Sequence, residues 1–170
     1  IIGVGRLNPI KKFDLLLEAF AKVHQIKSKS ILIIAGDGEE KDRLIHLAKK
    51  LGIEESVRFL GNIADVTKLY CAADVLAVTS DTESSSLVAI EAQACGTRCV
   101  LSAGVPKESI LLQQTQRLGE NATSETWCNA LLNDSYENTA VASIEDYEVH
   151  NMSKKMKEII YKSRLFLFFL

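Results

Sequence analysis

Two glutamates, Glu83 and Glu91, have seven residues between them, and the stretch they bracket turns from polar to apolar: Ser84-Ser85-Ser86-Leu87-Val88-Ala89-Ile90. Leu87, Val88 and Ile90 would bury one side of a helix. Ser84, Ser85 and Ser86 then fall at its start, where the first backbone N–H groups lack intrahelical partners. Such an end attracts phosphate through its dipole and free donors. A carboxylate beside it can accept hydrogen bonds from sugar hydroxyls. A second constellation is basic, Gly5-Arg6-Leu7-Asn8-Pro9-Ile10-Lys11-Lys12. Gly5 permits a tight turn. Arg6 and Lys11 can converge from the loop and the start of the next helix, which suits a diphosphate, with arginine able to bind in a bidentate way. The third is Gly36-Asp37-Gly38, whose glycines let a ligand approach the backbone closely. No third glycine follows to make a dinucleotide fingerprint. Taken singly, each segment also fits ordinary structure: a solvated basic loop, a βα turn, a capped helix with two acidic residues.

All three segments follow short apolar runs. Ile1 to Val4, Ile31 to Ala35, Val57 to Leu60, Val75 to Val78 and Cys99 to Leu101 read as strands. Between them lie helix-periodic stretches: Phe13, Leu16, Leu17, Phe20 and Val23; Leu44 to Leu51, with Gly52 as a left-handed cap; Val66 to Tyr70; and Leu87 to Cys95, stopping at Gly96. Continuously apolar strands, each followed by a helix, give βαβ units and a parallel sheet covered on both faces. In such sheets ligands sit outside the carboxyl ends of the strands, where all three constellations fall. Beyond Gly104 the reading is a sixth strand at Ile110 to Leu112, a helix over Glu125 to Leu132 and a last helix over Val149 to Tyr161.

The chain has 170 residues, 47% hydrophobic and 25% charged. That suffices for one domain, which at this length buries about 70% of its unfolded surface. With 20 Lys+Arg against 22 Asp+Glu, the net charge is -2. A general nucleic-acid binder needs clustered positive charge, so none is expected as partner. No run reaches the ~18 apolar residues of a membrane span. Cys71, Cys95, Cys99 and Cys128 form no C-x-x-C pair, and with three histidines no zinc spacing arises. They read as buried free thiols of a cytosolic chain. The chain opens without Met inside one apolar run and stops inside another, Leu165 to Leu170, and is expected to be a piece of something longer. A basic stretch with Lys154, Lys155, Lys157, Lys162 and Arg164 precedes that tail. It fits a membrane-surface helix or a final helix on the domain.

The order Gly-Arg-Leu-x-x-x-Lys, Ala-Gly-Asp-Gly, then Glu-x7-Glu followed by Ala-x-Ala-Cys-Gly resembles the C-terminal domain of a retaining GT-B glycosyltransferase of the family 4 type, closely over about residues 1–105. The resemblance implies a Rossmann-like α/β domain over residues 1–164, one half of a GT-B fold, with 165–170 as an apolar tail and an acceptor-binding N-terminal domain elsewhere. It implies a UDP- or GDP-linked sugar donor and no metal or other cofactor. By position, Arg6 and Lys11 would hold the donor diphosphate and meet the charge on the leaving nucleotide. Gly5, Gly36 and Gly38 would lie near the donor, and Glu83 would contact its sugar. The backbone around Ser86, Leu87 and Val88 would meet phosphate, and Glu91 would bind ribose hydroxyls. The acceptor would be a sugar or lipid-linked sugar, with peripheral association at the inner membrane face. Val105-Pro106-Lys107-Glu108 is similar to a subset acting in capsule or exopolysaccharide assembly. Two positions depart from the family pattern. Ser84-Ser85-Ser86 stands where Gly-Phe-Gly is common, and Lys12 stands where Gly is usual. A non-catalytic nucleotide-sugar-binding or regulatory module, or another GT-B enzyme such as a sugar-nucleotide epimerase, remains an alternative.

Overall fold

Val75-Leu76-Ala77-Val78 is buried at all four positions, as a strand in the middle of a sheet covered on both faces must be. In this computed structural model, which describes residues 1–133, it is one of six parallel strands: β1 (Ile2–Val4), β2 (Leu32–Ala35), β3 (Val57–Gly61), β4 (Val75–Val78), β5 (Arg98–Leu101) and β6 (Gln116–Arg117). Their order is β3-β2-β1-β4-β5-β6, the doubly wound Rossmann-like arrangement. The order reverses between β1 and β4, which pair at Ile2 and Leu76. In open sheets of this order the ligand crevice lies just outside the carboxyl ends at that switch point.

Alternate side chains of each strand feed two cores. On one face Val75, Ala77 and Val100 meet α1 (Phe13–Ile26), α2 (Lys41–Lys50) and α5 (Ser124–Leu132). On the other, Leu76, Val78, Cys99 and Leu101 meet α3 (Thr67–Ala72) and α4 (Leu87–Ala94). The helical spacing read for α1 is realised, with Phe13, Leu16, Leu17, Phe20 and Val23 all buried. Gly3 makes room for it, since a Cβ there would strike Leu16 and Phe13. Gly52 and Gly96 end α2 and α4 at φ 70° and 78°.

The sixth strand is displaced from its expected place at Ile110 to Leu112. Both Leu111 N and Leu112 N donate to the buried Gln93 Oε1, at 2.7 and 3.0 Å. Donors spent on a side chain cannot join a ladder, so pairing with β5 begins later, at Gln116. Two of the four cysteines, all free thiols, also differ from expectation. Cys99 and Cys128 are buried, but Cys95 is half-buried and Cys71 is exposed. Among the described residues no helix is long and apolar enough to cross a membrane. The helix read over 149–161, the basic stretch, the boundary at 164 and the tail 165–170 lie outside the described residues.

Candidate functional site

The loop after β1 is built by caps and short bonds. Asn8 caps a single 3-10 turn, Pro9–Lys11, its side chain accepting from Lys11 N at 3.2 Å. Lys12 then takes left-handed φ 51° and hands the chain to α1. The loop after β4 is tied to this turn at two points. Asp81 N donates to Ile10 O at 2.8 Å, and Thr79 Oγ1 donates to Lys11 O at 2.7 Å. Those ties bring Lys11 Nζ to 2.7 Å from Glu83 Oε1. Ser80 Oγ donates to the same oxygen at 2.7 Å, and Glu83 N donates to Gly104 O at 3.0 Å. The Lys11 and Glu83 side chains are only 25% and 12% exposed. A charge-assisted bond with little access to water is short and directional. Two residues read separately in the sequence therefore form one unit at the β1/β4 switch point.

Arg6 does not join that unit. It is exposed, and its guanidinium lies 3.6 Å from Glu39 Oε2, on the β2 side of the loop. Lys12 is also turned outward, 3.4 Å from Asp81 Oδ2.

Gly36 and Gly38 answer first to neighbouring backbone. A Cβ on Gly36 would overlap the Gly5 carbonyl, and one on Gly38 would overlap that of Leu7. The two loops run side by side here, with Gly5 N donating to Ala35 O at 3.0 Å and Leu7 N to Asp37 O at 2.9 Å. Close packing of two turns thus accounts for glycine at both positions without a ligand. Asp37 between them accepts from Gly38 N at 2.8 Å and pairs with Lys41 at 3.1 Å. These bonds hold its carboxyl below the usual range.

At the start of α4, Ser84 and Ser85 are exposed and Ser86 is buried. Ser86 occupies the cap position, yet its side chain makes no capping bond. Its Oγ is buried without a hydrogen-bond partner, while its N–H donates to Ser109 Oγ at 3.2 Å. Leu87 is partly exposed and Val88 half-buried, so the first turn of the helix is open to solvent. Two turns on, Glu91 accepts from Tyr70 Oη at 3.2 Å. Tyr70 is 1% exposed. Burial and then the Glu91 carboxylate push its hydroxyl well above the ordinary value.

Ser80 and Tyr70 carry no motif. Each reads locally as ordinary structure, Ser80 as part of the polar loop that follows β4 and Tyr70 as the end of a short helix. The available signal is chemical: a buried phenol needs an acceptor, and an acidic residue eight positions after Glu83 faces it. The thiols have no comparable role. Burial pushes Cys99 up to about 12 and, with a hydrogen bond from Cys71, Cys95 up to about 11, so neither is a thiolate at neutral pH. Among the described residues no group of three or more His, Cys, Asp or Glu is placed to hold a metal ion.

Residues 1–162 match the profile described as Glycosyl transferases group 1. The chain belongs to this family. The D-inositol 3-phosphate glycosyltransferase of Mycobacterium sp. (strain KMS) is 43% identical over 111 residues, covering 61% of this chain and 25% of the relative. The N-acetyl-alpha-D-glucosaminyl L-malate synthase of Bacillus anthracis is 28% identical over 166 residues, covering 95% of this chain and 40% of the relative. The chain thus spans between a quarter and two-fifths of these glycosyltransferases. Among solved structures, WaaG, a glycosyltransferase involved in lipopolysaccharide biosynthesis, superposes with TM-score 0.74 at 23% identity over 94% of this chain and 46% of WaaG. Anabaena HepE in complex with UDP-glucose gives 0.70 at 25% identity, over 95% and 48%. The parallel sheet of this group 1 glycosyltransferase chain is that of the GT-B enzymes.

Proposed function

We propose that the chain is the donor-binding, C-terminal half of a retaining, family 4-type GT-B glycosyltransferase, which transfers a glycosyl group from a UDP- or GDP-linked sugar. The observation that carries this reading is the Lys11–Glu83 ion pair at the β1/β4 switch point. It sets a cation and a carboxylate side by side where a sugar diphosphate needs both.

In this reading Lys11 and Arg6 bind the diphosphate. As the bond from the anomeric carbon to the diphosphate oxygen breaks, negative charge grows on the leaving nucleotide, and fixed cations meet it without reorganising. Lys11 is already held by Glu83, so its position is set before the donor arrives. Arg6 swings from Glu39, a weak exposed partner, onto phosphate. The N–H groups around Ser86, Leu87 and Val88 receive phosphate at the helix start. The orphan Ser86 Oγ supports a polar ligand there, since an unmade buried hydrogen bond costs about 1–3 kcal/mol. Glu83 turns its free oxygen to the donor sugar, and Glu91 accepts from the ribose. Gly5, Gly36, Gly38, Ser84 and Ser85 line the approach. With these cations neutralising the diphosphate, we propose that transfer uses no metal. The acceptor, a sugar or lipid-linked sugar, is held by a second domain. The setting is cytoplasmic, at the inner membrane face, in capsule, exopolysaccharide or related glycoconjugate assembly.

Titration calorimetry of the chain with UDP, GDP and ADP tests the donor assignment. UDP or GDP is expected to bind, with affinity at least tenfold weaker in Arg6→Ala and in Glu91→Ala. Absence of binding by all three nucleotides would overturn the reading and favour a regulatory module that keeps the fold without the donor site.

A further inference from the structure

We propose that Tyr70 is a positioning residue for Glu91, aiming its carboxylate at the vicinal diol of the nucleotide ribose and thereby setting discrimination against deoxynucleotides. The inference rests on the reading of Glu91 as the ribose acceptor.

Glu91 stands on α4 and is half-buried. A glutamate there would otherwise sample several rotamers, and fixing such a side chain costs conformational entropy. Tyr70 supplies the restraint from the neighbouring helix. Its ring is fully buried in the core that α3 and α4 share, and its hydroxyl donates to Glu91 Oε2 at 3.2 Å. The phenol cannot easily move away. Tyr70 O accepts from Thr97 Oγ1 at 2.7 Å, and Thr97 is itself buried and bonded through its N–H to Ala92 O at 3.0 Å. The end of α3 is thereby tied to the end of α4, the helix that carries Glu91. The hydroxyl stays protonated across the neutral range, because burial and Glu91 both raise it, so it remains a donor. One carboxylate oxygen is anchored, and the other keeps its lone pairs for a ligand. Two hydroxyls on adjacent carbons converge on one carboxylate only when that carboxylate is held in one orientation, so the anchor matters most for a diol.

The test is a double-mutant cycle on the whole chain, read by calorimetry with UDP and 2′,3′-dideoxy-UDP. The quantity is the ratio of the two Kd values. The parent chain is expected to prefer UDP at least tenfold. Tyr70→Phe, which keeps the ring and its packing, is expected to lower that preference about fivefold while leaving the dideoxy affinity within twofold. Glu91→Ala should abolish the preference, with no further loss in the Glu91→Ala, Tyr70→Phe double variant. A purely structural tyrosine would weaken both ligands alike, and an unchanged ratio in Tyr70→Phe overturns the proposal while leaving the donor reading intact. UDP binding without preference in the parent overturns it in the same way. A chain that takes GDP alone is read in the same cycle with GDP and 2′,3′-dideoxy-GDP, and no binding of either UDP or GDP by the parent overturns the donor reading and this proposal together.

Discussion

Lys12 sits at φ 51°, the one non-glycine residue of the described chain with positive φ. A side chain there costs about 1–2 kcal/mol relative to the right-handed region, and its exposed pairing with Asp81 returns little. Lys12 is at once the last cap of the 3-10 turn and the first of α1, so the left-handed conformation falls where one element ends and the next begins. Lys12→Gly is therefore expected to be neutral or stabilising by up to about 1 kcal/mol, although glycine in a helix interior loses about that much. A urea midpoint clearly below the parent's would contradict the strain argument. The second glycine pair poses the opposite case. At Gly36 and Gly38 the facing carbonyls of Gly5 and Leu7 leave no room for a Cβ, so strain and collision act together there.

Gln93 organises a whole segment from the second turn of α4. It is 2% exposed. Its amide nitrogen donates to Ala89 O and Ser109 O, both at 2.8 Å, and its oxygen accepts from Leu111 N, Leu112 N and Thr115 Oγ1. One side chain thus replaces the ladder that residues 110–112 would have made. Gln93→Leu keeps the volume but strands several buried polar groups, which costs about 1–3 kcal/mol for each group left unpaired. We expect a loss of about 2–4 kcal/mol in two-state unfolding, at the upper end of ordinary point mutations. A loss under 1 kcal/mol would show that water or rearrangement satisfies those groups. Arg117 performs a similar task at the sheet edge, its guanidinium donating to Val105 O at 2.9 Å and to Ala103 O. It holds the loop that contains Gly104, the backbone partner of Glu83.

At the scale of the molecule, the doubly wound order brings the β1 and β4 loops together across the switch point. Arg6, Lys11, Glu83 and the start of α4 all lie beyond the carboxyl ends of strands of one sheet. The relatives are two and a half to four times longer than the matched share. We expect the 170-residue chain alone to bind nucleotide weakly and to transfer no sugar from UDP-glucose or UDP-N-acetylglucosamine to simple acceptors. Robust transfer, measured as release of UDP dependent on acceptor, would show that donor and acceptor sites share this one domain.

The sequence by itself determined the class of fold and the edge where Arg6, Lys11, Glu83 and the start of α4 collect. Continuous apolar runs such as Val75-Leu76-Ala77-Val78, short and alternating with helix-periodic stretches, read as doubly covered strands, and helices ended by Gly52 and Gly96 read directly from spacing. Arg6, Lys11, Glu83 and Glu91 were legible as reactive types at strand ends. Tertiary structure decided which of them meet. Lys11 and Glu83 are 72 residues apart, and Tyr70 and Glu91 21 apart, so no local period links them; only the crossover between β1 and β4 and the packing of α3 on α4 do. The same holds for the sixth strand, where an apolar run at 110–112 lost its place to the hydrogen bonds of one buried amide. Local sequence sets what a segment can form, but the partner that takes its backbone donors comes from elsewhere in the chain.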